Sequence, residues 1–408
     1  MRASALPQKR SGSRRQPAYL WYTGLRAPSM APPALQTFRI AMIPRKAYNK
    51  VRQNSGFFRK AVRRRAAEKD EAAGGVNDGR AENEGVPMIR NQWYAILPSK
   101  AVKKNRIVGV KRLNLDLALF RDSAGTIGCV ADQCTHRGAA LSRGKIVENC
   151  VQCPFHGLRF DTGGRCVLIP ADGKASAADI SRFNVKSWPV RESGGIVYLW
   201  YGDPDQMSGE PPFFREDIDS SWTYSEFADH WNSHYSRCIE NQLDVVHLPF
   251  VHHNTIGRGH KTLVNGPKIE FVPSGFLTSA NNEVDSGQAP KPAEECVIKK
   301  TYLKFLFPNI WMNHVSDKIK IVIYFAPVDE ENTVLYIRFY NQISGFRPMD
   351  GLIAQLGKAA NRIVERQDKR VVVTQKPKAS AYRSSEKLLA GDGPVIQYRR
   401  IRDQLQNE

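Results

Sequence analysis

Cys134, His136, Cys153 and His156 form two short pairs, Cys-x-His and Cys-x2-His, with sixteen residues between His136 and Cys153. Each pair brings two metal ligands to one loop tip, so a chain carrying both needs a frame that sets two loops side by side. Tetrahedral zinc of the Cys2His2 type ordinarily takes a cysteine pair from one knuckle and a histidine pair from the other. Here each loop supplies one of each, which also suits a binuclear cluster with both cysteines on one iron and both histidines on the other. Cys150 adds a Cys-x2-Cys reading with Cys153, open to a zinc knuckle or a redox dithiol. It has no matching ligand at knuckle spacing, so Cys150, Cys129 and Cys166 are expected as buried residues of a β domain. Pro154 and Gly157 suit the segment Cys153 to Gly157 to a tight ligand loop.

The seven cysteines are an odd number and lie mostly in the first half of 408 residues, which argues for metal or core use rather than a disulfide framework. No run of 18 or more apolar residues is present, so no membrane span is expected. The net charge of +20 suggests nucleic acid until it is mapped. Residues 1–67 hold sixteen Lys and Arg and no Asp or Glu, leaving +4 for the remaining 341 residues. A nucleic-acid partner is therefore not expected. The basic segment passes into a Gly-, Ala- and Glu-rich linker, and residues 1–87 read as a leader. It is an organelle transit peptide, an upstream extension ahead of a start at Met88, or a basic tail for nucleic acid or membrane. The first implies a mitochondrial or plastid location and the second a cytoplasmic one.

From Met88 the pattern changes to short apolar runs punctuated by turns. Residues 105–134 read as strands around the turn Asp122 to Gly125, residues 157–170 as a hairpin with Gly163-Gly164 at its tip, and residues 188–204 as a third hairpin. Residues 88–205 are expected to form one all-β domain, ended by a Gly- and Pro-rich segment. Residues 206–408 are α+β. A helical period runs over the first two-thirds of residues 228–253, a series of strands follows to residue 343, with the last two joined across Asp329 to Asn332, and a long last helix occupies residues 349–375.

The residues from Cys134 to Asp161 resemble the Rieske domain of the ring-hydroxylating, non-heme iron oxygenases, in which C-x-H-R-G and C-P-x-H-G recur. Electron-transfer Rieske proteins usually add a cysteine just after each ligand pair, whereas this chain has Arg137-Gly138 and Gly157-Leu158. The oxygenase type is the closer match, and it implies one [2Fe–2S] cluster on Cys134, His136, Cys153 and His156.

Asp244, His247 and His252 follow the spacing D-x2-H-x4-H. Asn241, Asp244 and His247 share a face of one helix, while a five-residue step to His252 rotates away from it. Pro249 lies between and is expected to give a kink or a wide turn that brings both imidazoles together. On the last helix Leu356, Ala360, Val364 and Asp368 are four-residue steps, so Asp368 is expected on a buried apolar stripe, where a carboxylate needs a partner or a metal. Glu365 and Arg366 are expected to face solvent. Two histidines and a carboxylate make the facial triad of mononuclear Fe(II) oxygenases. Against this stand satisfied histidines near a kink and an Asp368 salt bridge. His230 and His234 are read as pocket lining or support, and His253 as a bystander beside His252.

The same family has N-x2-D-x2-H-x4-H followed far downstream by a ligand aspartate, and residues 367–377 resemble its E-D-x2-V-V-E-x-Q-x-P segment. The departures are Gln367 and Thr374, each often acidic in relatives. The likeness covers about residues 88–380. It implies an α+β fold, an all-β Rieske domain followed by a helix-grip catalytic domain of antiparallel sheet plus helices, with a mononuclear Fe(II) on His247, His252 and Asp368. It further implies a homotrimer in which Asp244 bridges the cluster of one subunit to the iron of the next, and electrons from NAD(P)H through a separate ferredoxin or flavin reductase. O2 is the expected co-substrate and a hydrophobic or aromatic organic molecule the substrate, hydroxylated or oxidatively demethylated. A Rieske electron carrier without oxygenase activity and a zinc-organised binding protein are the rivals.

Overall fold

Alternation along one strand explains how the first half of the chain is built. The computed structural model describes residues 87–174 and 177–407; the leader reading falls on residues that lie outside them, Pro87 apart. Ten strands occupy the first part: β1 (Gln92–Pro98), β2 (Ile107–Arg112), β3 (Leu115–Arg121), β4 (Ile127–Ala131), β5 (Lys145–Val147), β6 (Cys150–Gln152), β7 (Arg159–Phe160), β8 (Cys166–Leu168), β9 (Val190–Ser193) and β10 (Ile196–Tyr201). They form sheets ordered β1-β10-β9, β2-β3-β4 and β5-β6-β7-β8. On β3 side chains alternate between faces. Leu117 and Leu119 enter a large core shared with β1, β10 and the following sheet, while Ala118 and Phe120 enter a smaller core with Val130, Val151 and Phe160. That smaller core also contains Cys134 and Cys153, so it lies directly beneath the ligand loops.

The second part is a seven-stranded antiparallel sheet. Its strands are β11 (Thr223–Trp231), β13 (Ile269–Val272), β14 (Gly275–Thr278), β16 (Tyr302–Leu306), β17 (Ile310–Ser316), β18 (Ile319–Pro327) and β19 (Thr333–Asn341), in the order β11-β19-β18-β17-β16-β14-β13. A separate pair joins β12 (Leu263–Asn265) to β15 (Asn281–Glu283). Among the described residues there are four α-helices: α1 (Tyr235–Leu243), α2 (Leu248–Val251), α3 (Arg347–Val372) and α4 (Gly393–Gln406). The α+β class and its order of domains match the expectation.

One sheet face carries α3: Ser225 Oγ donates to Ala354 O at 2.5 Å, and Trp231 Nε1 donates to Glu365 Oε1 at 2.7 Å. The other face meets the first sheet. Buried Arg338 donates to Glu226 at 2.7 Å and to the carbonyls of Gly194 and Gly195, and Asn309 bonds both backbone groups of Ala95. These carbonyls sit in the β9–β10 turn, where Gly194 and Gly195 both have positive φ.

Four expectations need correction. Residues 228–231 are strand, not helix, because β11 runs to Trp231 and α1 starts only after His234. The helix over residues 347–372 is not the last, since α4 follows it. Arg399 on α4 grips Glu240 of α1 with two hydrogen bonds of 2.8 and 2.7 Å and reaches Glu386 at 2.7 Å. Finally, Asp368 does not continue a buried apolar stripe: Leu356 and Val371 are exposed, and the buried face of α3 is Asp350, Ala354, Glu365, Asp368 and Val372. Glu365, expected at the surface, is inside because its carboxylate serves Trp231.

Candidate metal centres

The two ligand loops are built alike. Cys134 N donates to Ala139 O and Cys153 N to Leu158 O, both at 2.8 Å; Gly138 N donates to Cys134 O and Gly157 N to Cys153 O. Each loop thus closes over five residues, and each closing glycine has a left-handed backbone, φ +75° and +77°. Gly157 is doubly constrained, because a Cβ there stands 3.1 Å from Pro170 Cγ.

This geometry buries both cysteines and exposes both histidines. The rings of His136 and His156 lie 4.5 Å apart. Burial, reinforced by the neighbouring Cys153 thiol, raises the pKa of Cys134, while backbone N–H groups of His136 and Arg137 work the other way. His156 is held below the ordinary imidazole value by desolvation, His136 and Arg137, which favours the neutral form a metal needs. A cysteine pair inside and a histidine pair outside suit a two-iron cluster, with one metal on each pair. Cys129, Cys150 and Cys166 are buried as expected, and Cys150 Sγ faces Glu148 O.

Among the described residues, His247, His252 and Asp368 bring one ligand atom each within 4.8 Å of one another, close enough to share a single ion. Of the expected kink or wide turn, the structure has the turn, because the helix breaks. α1 ends at Leu243, Asp244 caps it, and Asp244 Oδ1 accepts from Val246 N at 2.6 Å. The chain restarts as α2, with His247 and His252 flanking its two ends and Pro249 in the first turn, where its missing N–H costs nothing. One turn of helix therefore spans the five-residue step.

His247 Nε2 and His252 Nε2 are 3.3 Å apart, and Asp368 Oδ1 is 3.5 and 2.9 Å from them. Ligands about 2.1 Å from one ion span edges of this size. Asp368 Oδ1 is buried and makes no aligned hydrogen bond despite its 2.9 Å approach to His252. Behind the ring His252 Nδ1 lies 2.8 Å from Gln367 Oε1, so a proton there leaves the Nε2 lone pair facing the carboxylate. Two facing lone pairs call for a cation. Burial works against protonation of His252, yet Asp368 outweighs it and raises its pKa, the same preference for positive charge. His247 Nδ1 faces Asp244 Oδ2 at 3.5 Å. The observed ion-pair partners of Asp368 are these two histidines, not the Lys or Arg of the alternative reading.

The other histidines are placed elsewhere. His253 is exposed and faces Phe250 O; His234 is buried at the start of α1, beside Ser236, and its pKa is lowered to about 3 by burial; His230 is exposed on β11. Gln367 was noticed in the sequence only as a departure from a pattern, and nothing in its identity announced a hydrogen bond to His252.

Known proteins resemble the chain in the same two parts. Residues 92–189 match the Rieske [2Fe-2S] domain and residues 231–408 the vanillate O-demethylase oxygenase C-terminal domain. The oxygenase component of dicamba O-demethylase from Stenotrophomonas maltophilia is 36% identical over 220 residues, 49% of this chain and 63% of that protein. Chloroplastic chlorophyllide a oxygenase of Chlamydomonas reinhardtii is 33% identical over 42% of this chain and 26% of its own length. The chain thus matches less than two thirds of either relative. Among solved structures, NdmA of Pseudomonas putida CBB5 superposes with a TM-score of 0.65 at 22% identity, over 78% of this chain and 91% of that one. Dicamba monooxygenase bound to dicamba gives 0.58 at 20%, over 79% and 98%. At these identities the superpositions establish the fold.

Proposed function

The chain belongs to the Rieske non-heme iron oxygenases, and from that membership we propose that it is the oxygenase component of a multiprotein system. In this reading residues 88–205 are the Rieske domain and residues 206–408 the catalytic domain, and an O2-derived oxygen is inserted into a hydrophobic or aromatic molecule by hydroxylation or oxidative demethylation. The observation that carries it is the convergence of His247, His252 and Asp368 on one point in a chain that also bears the paired Cys-His loops.

Cys134 and Cys153 would hold one iron of a [2Fe–2S] cluster and His136 and His156 the other, while His247, His252 and Asp368 would hold a mononuclear Fe(II). When bound, these groups supply single-electron transfer and O2 activation. Exposed His136 and His156, beside a Phe155 that is 56% exposed, form the face to which a ferredoxin or flavin reductase would dock. Asp244 orients the His247 loop through backbone bonds and backs its ring, and in a homotrimer it would bridge to the neighbouring subunit's cluster. The exposed run Met349, Leu352, Leu356 and Ile363 on α3 offers apolar surface for such assembly.

Substrate would lie between α3 and the sheet face it covers. Cross-strand register places Trp311, Asn313, Ile321 and Ile323 on that face, with Trp311 Nε1 and Asn313 Oδ1 buried and unpartnered. A flat apolar molecule with a hydrogen-bonding group suits such a lining. The relatives' names, an O-demethylase and a chloroacetanilide N-alkylformylase, support the oxidative removal of small carbon groups. No helix among the described residues is long and apolar enough to cross a membrane.

Metal analysis of the purified protein tests the proposal. About three irons and two sulfides per chain are expected; two irons would indicate an electron carrier, and zinc would overturn both readings.

A further inference from the structure

We propose that Gln367 is the positioning residue that makes His252 a metal ligand, and that it does so with a neutral amide where the opposite histidine is backed by a carboxylate. This rests on the mononuclear site of the preceding section. The Gln367 side chain occupies a small closed network. Its Oε1 lies 2.8 Å from His252 Nδ1 and accepts from Thr255 Oγ1 at 2.8 Å, and its Nε2 donates to Asn254 Oδ1 at 2.7 Å.

Asn254 and Thr255 belong to the turn that leaves His252, closed by Thr255 N and Gly257 N on His252 O at 2.8 and 3.0 Å. The turn that carries the ligand therefore also orients the amide that orients the ligand. With Nε2 engaged by Asn254, the amide oxygen faces the imidazole, and an acceptor there requires the proton on Nδ1. The Nε2 lone pair is then committed to the point shared with His247 and Asp368. A reversed amide would donate to Nδ1, place the proton on Nε2 and close the site.

The two histidine arms differ in charge. Asp244 Oδ2 stands 3.5 Å behind His247 Nδ1, and Gln367 stands 2.8 Å behind His252 Nδ1. Outer partners of ligand histidines set ring orientation and basicity. A carboxylate at position 367 would keep the acceptor and add a charge; an aliphatic residue would remove the acceptor at nearly the same size.

The experiment titrates Co(II) into the full-length chain after removal of loosely bound iron, following the d–d absorption in the visible range. Gln367→Leu is expected to weaken Co(II) affinity about 10- to 100-fold, while Gln367→Glu restores it to the wild-type level or tighter. Unchanged affinity in Gln367→Leu overturns the proposal. So does equal weakness in both variants, because a packing role does not discriminate an acceptor from a methyl group. Retention of the [2Fe–2S] absorption verifies the fold of each variant. Should Gln367→Leu fail to accumulate, Asn254→Ala, which frees the amide to reverse, is expected to lose affinity in the same direction, and no loss there overturns the proposal. Failure of the wild type to bind Co(II) would instead count against the mononuclear site itself.

Discussion

The two candidate metal centres are assembled in opposite ways. The paired Cys-His loops are local: each closes on itself through the same two backbone hydrogen bonds, over a glycine of left-handed φ, and needs only a β frame to hold it beside its twin. The triad is not local. His247 and His252 flank a one-turn helix, Asp368 comes from a helix more than a hundred residues later, and α1, on which the histidine loop hangs, is held by α4 still further along. A local site resists damage elsewhere in the chain, whereas an assembled one reports on the packing of everything that meets there.

Substitutions can set this comparison at its extremes. Asp368→Ala should abolish metal binding at the triad while leaving the cluster absorption at wild-type intensity, and Cys153→Ser should remove that absorption. Next in size is the clamp on α1. Arg399→Ala takes the bidentate partner from buried Glu240 and leaves it only Arg237 Nη1 at 3.4 Å, at a cost of about 3 kcal/mol, the lower end for a broken buried pair. Chemical denaturation followed at two wavelengths should show the triad's metal lost before the cluster; simultaneous loss would mean that the two centres are equally dependent on packing.

A smaller effect distinguishes the twin loops. Gly157→Ala meets both an unfavourable φ and Pro170 Cγ at 3.1 Å, whereas Gly138→Ala meets only an ordinary 3.5 Å contact at Gln133. The first should cost about 1–2 kcal/mol from φ alone, plus the contact, and the second the φ cost alone. Equal melting temperatures would show that Pro170 yields freely.

The smallest effect concerns Glu365. Burial first, and then Asp229, push its carboxyl up to about 8. An acid whose folded pKa is raised takes up a proton on folding, so its favourable contribution is complete below the ordinary carboxyl range and is lost as pH rises toward about 8. The melting temperature should therefore fall between about pH 5 and pH 9, and Glu365→Gln should flatten that slope by a few degrees. A steeper slope in the variant would refute the assignment.

What could be read from the sequence follows the same division. The loops were legible because their ligands, Pro154 and Gly157 lie within a few residues of one another, and the β18–β19 hairpin because alternation flanks Asp329 to Asn332. The meeting of His247 with His252 is legible as a kink or a wide turn, and Pro249 does not decide between them: in the first turn of a new helix it has the same sequence signature as in a bent one. On α3 most large apolar residues lie outward and three of the five buried residues are acidic, so periodicity points to the wrong side and assigns Glu365 to solvent. The Glu240–Arg399 grip and the Gln367 network join residues 159 and 115 positions apart, and neither has a spacing to betray it.

The central claim, one chain with an autonomous cluster site and an assembled mononuclear site, is tested most directly by iron and sulfide content of the wild type beside Asp368→Ala. The account predicts about three irons and two sulfides falling to about two and two, with an unchanged cluster spectrum. Two irons in both proteins, or loss of the cluster along with the third iron, would contradict it.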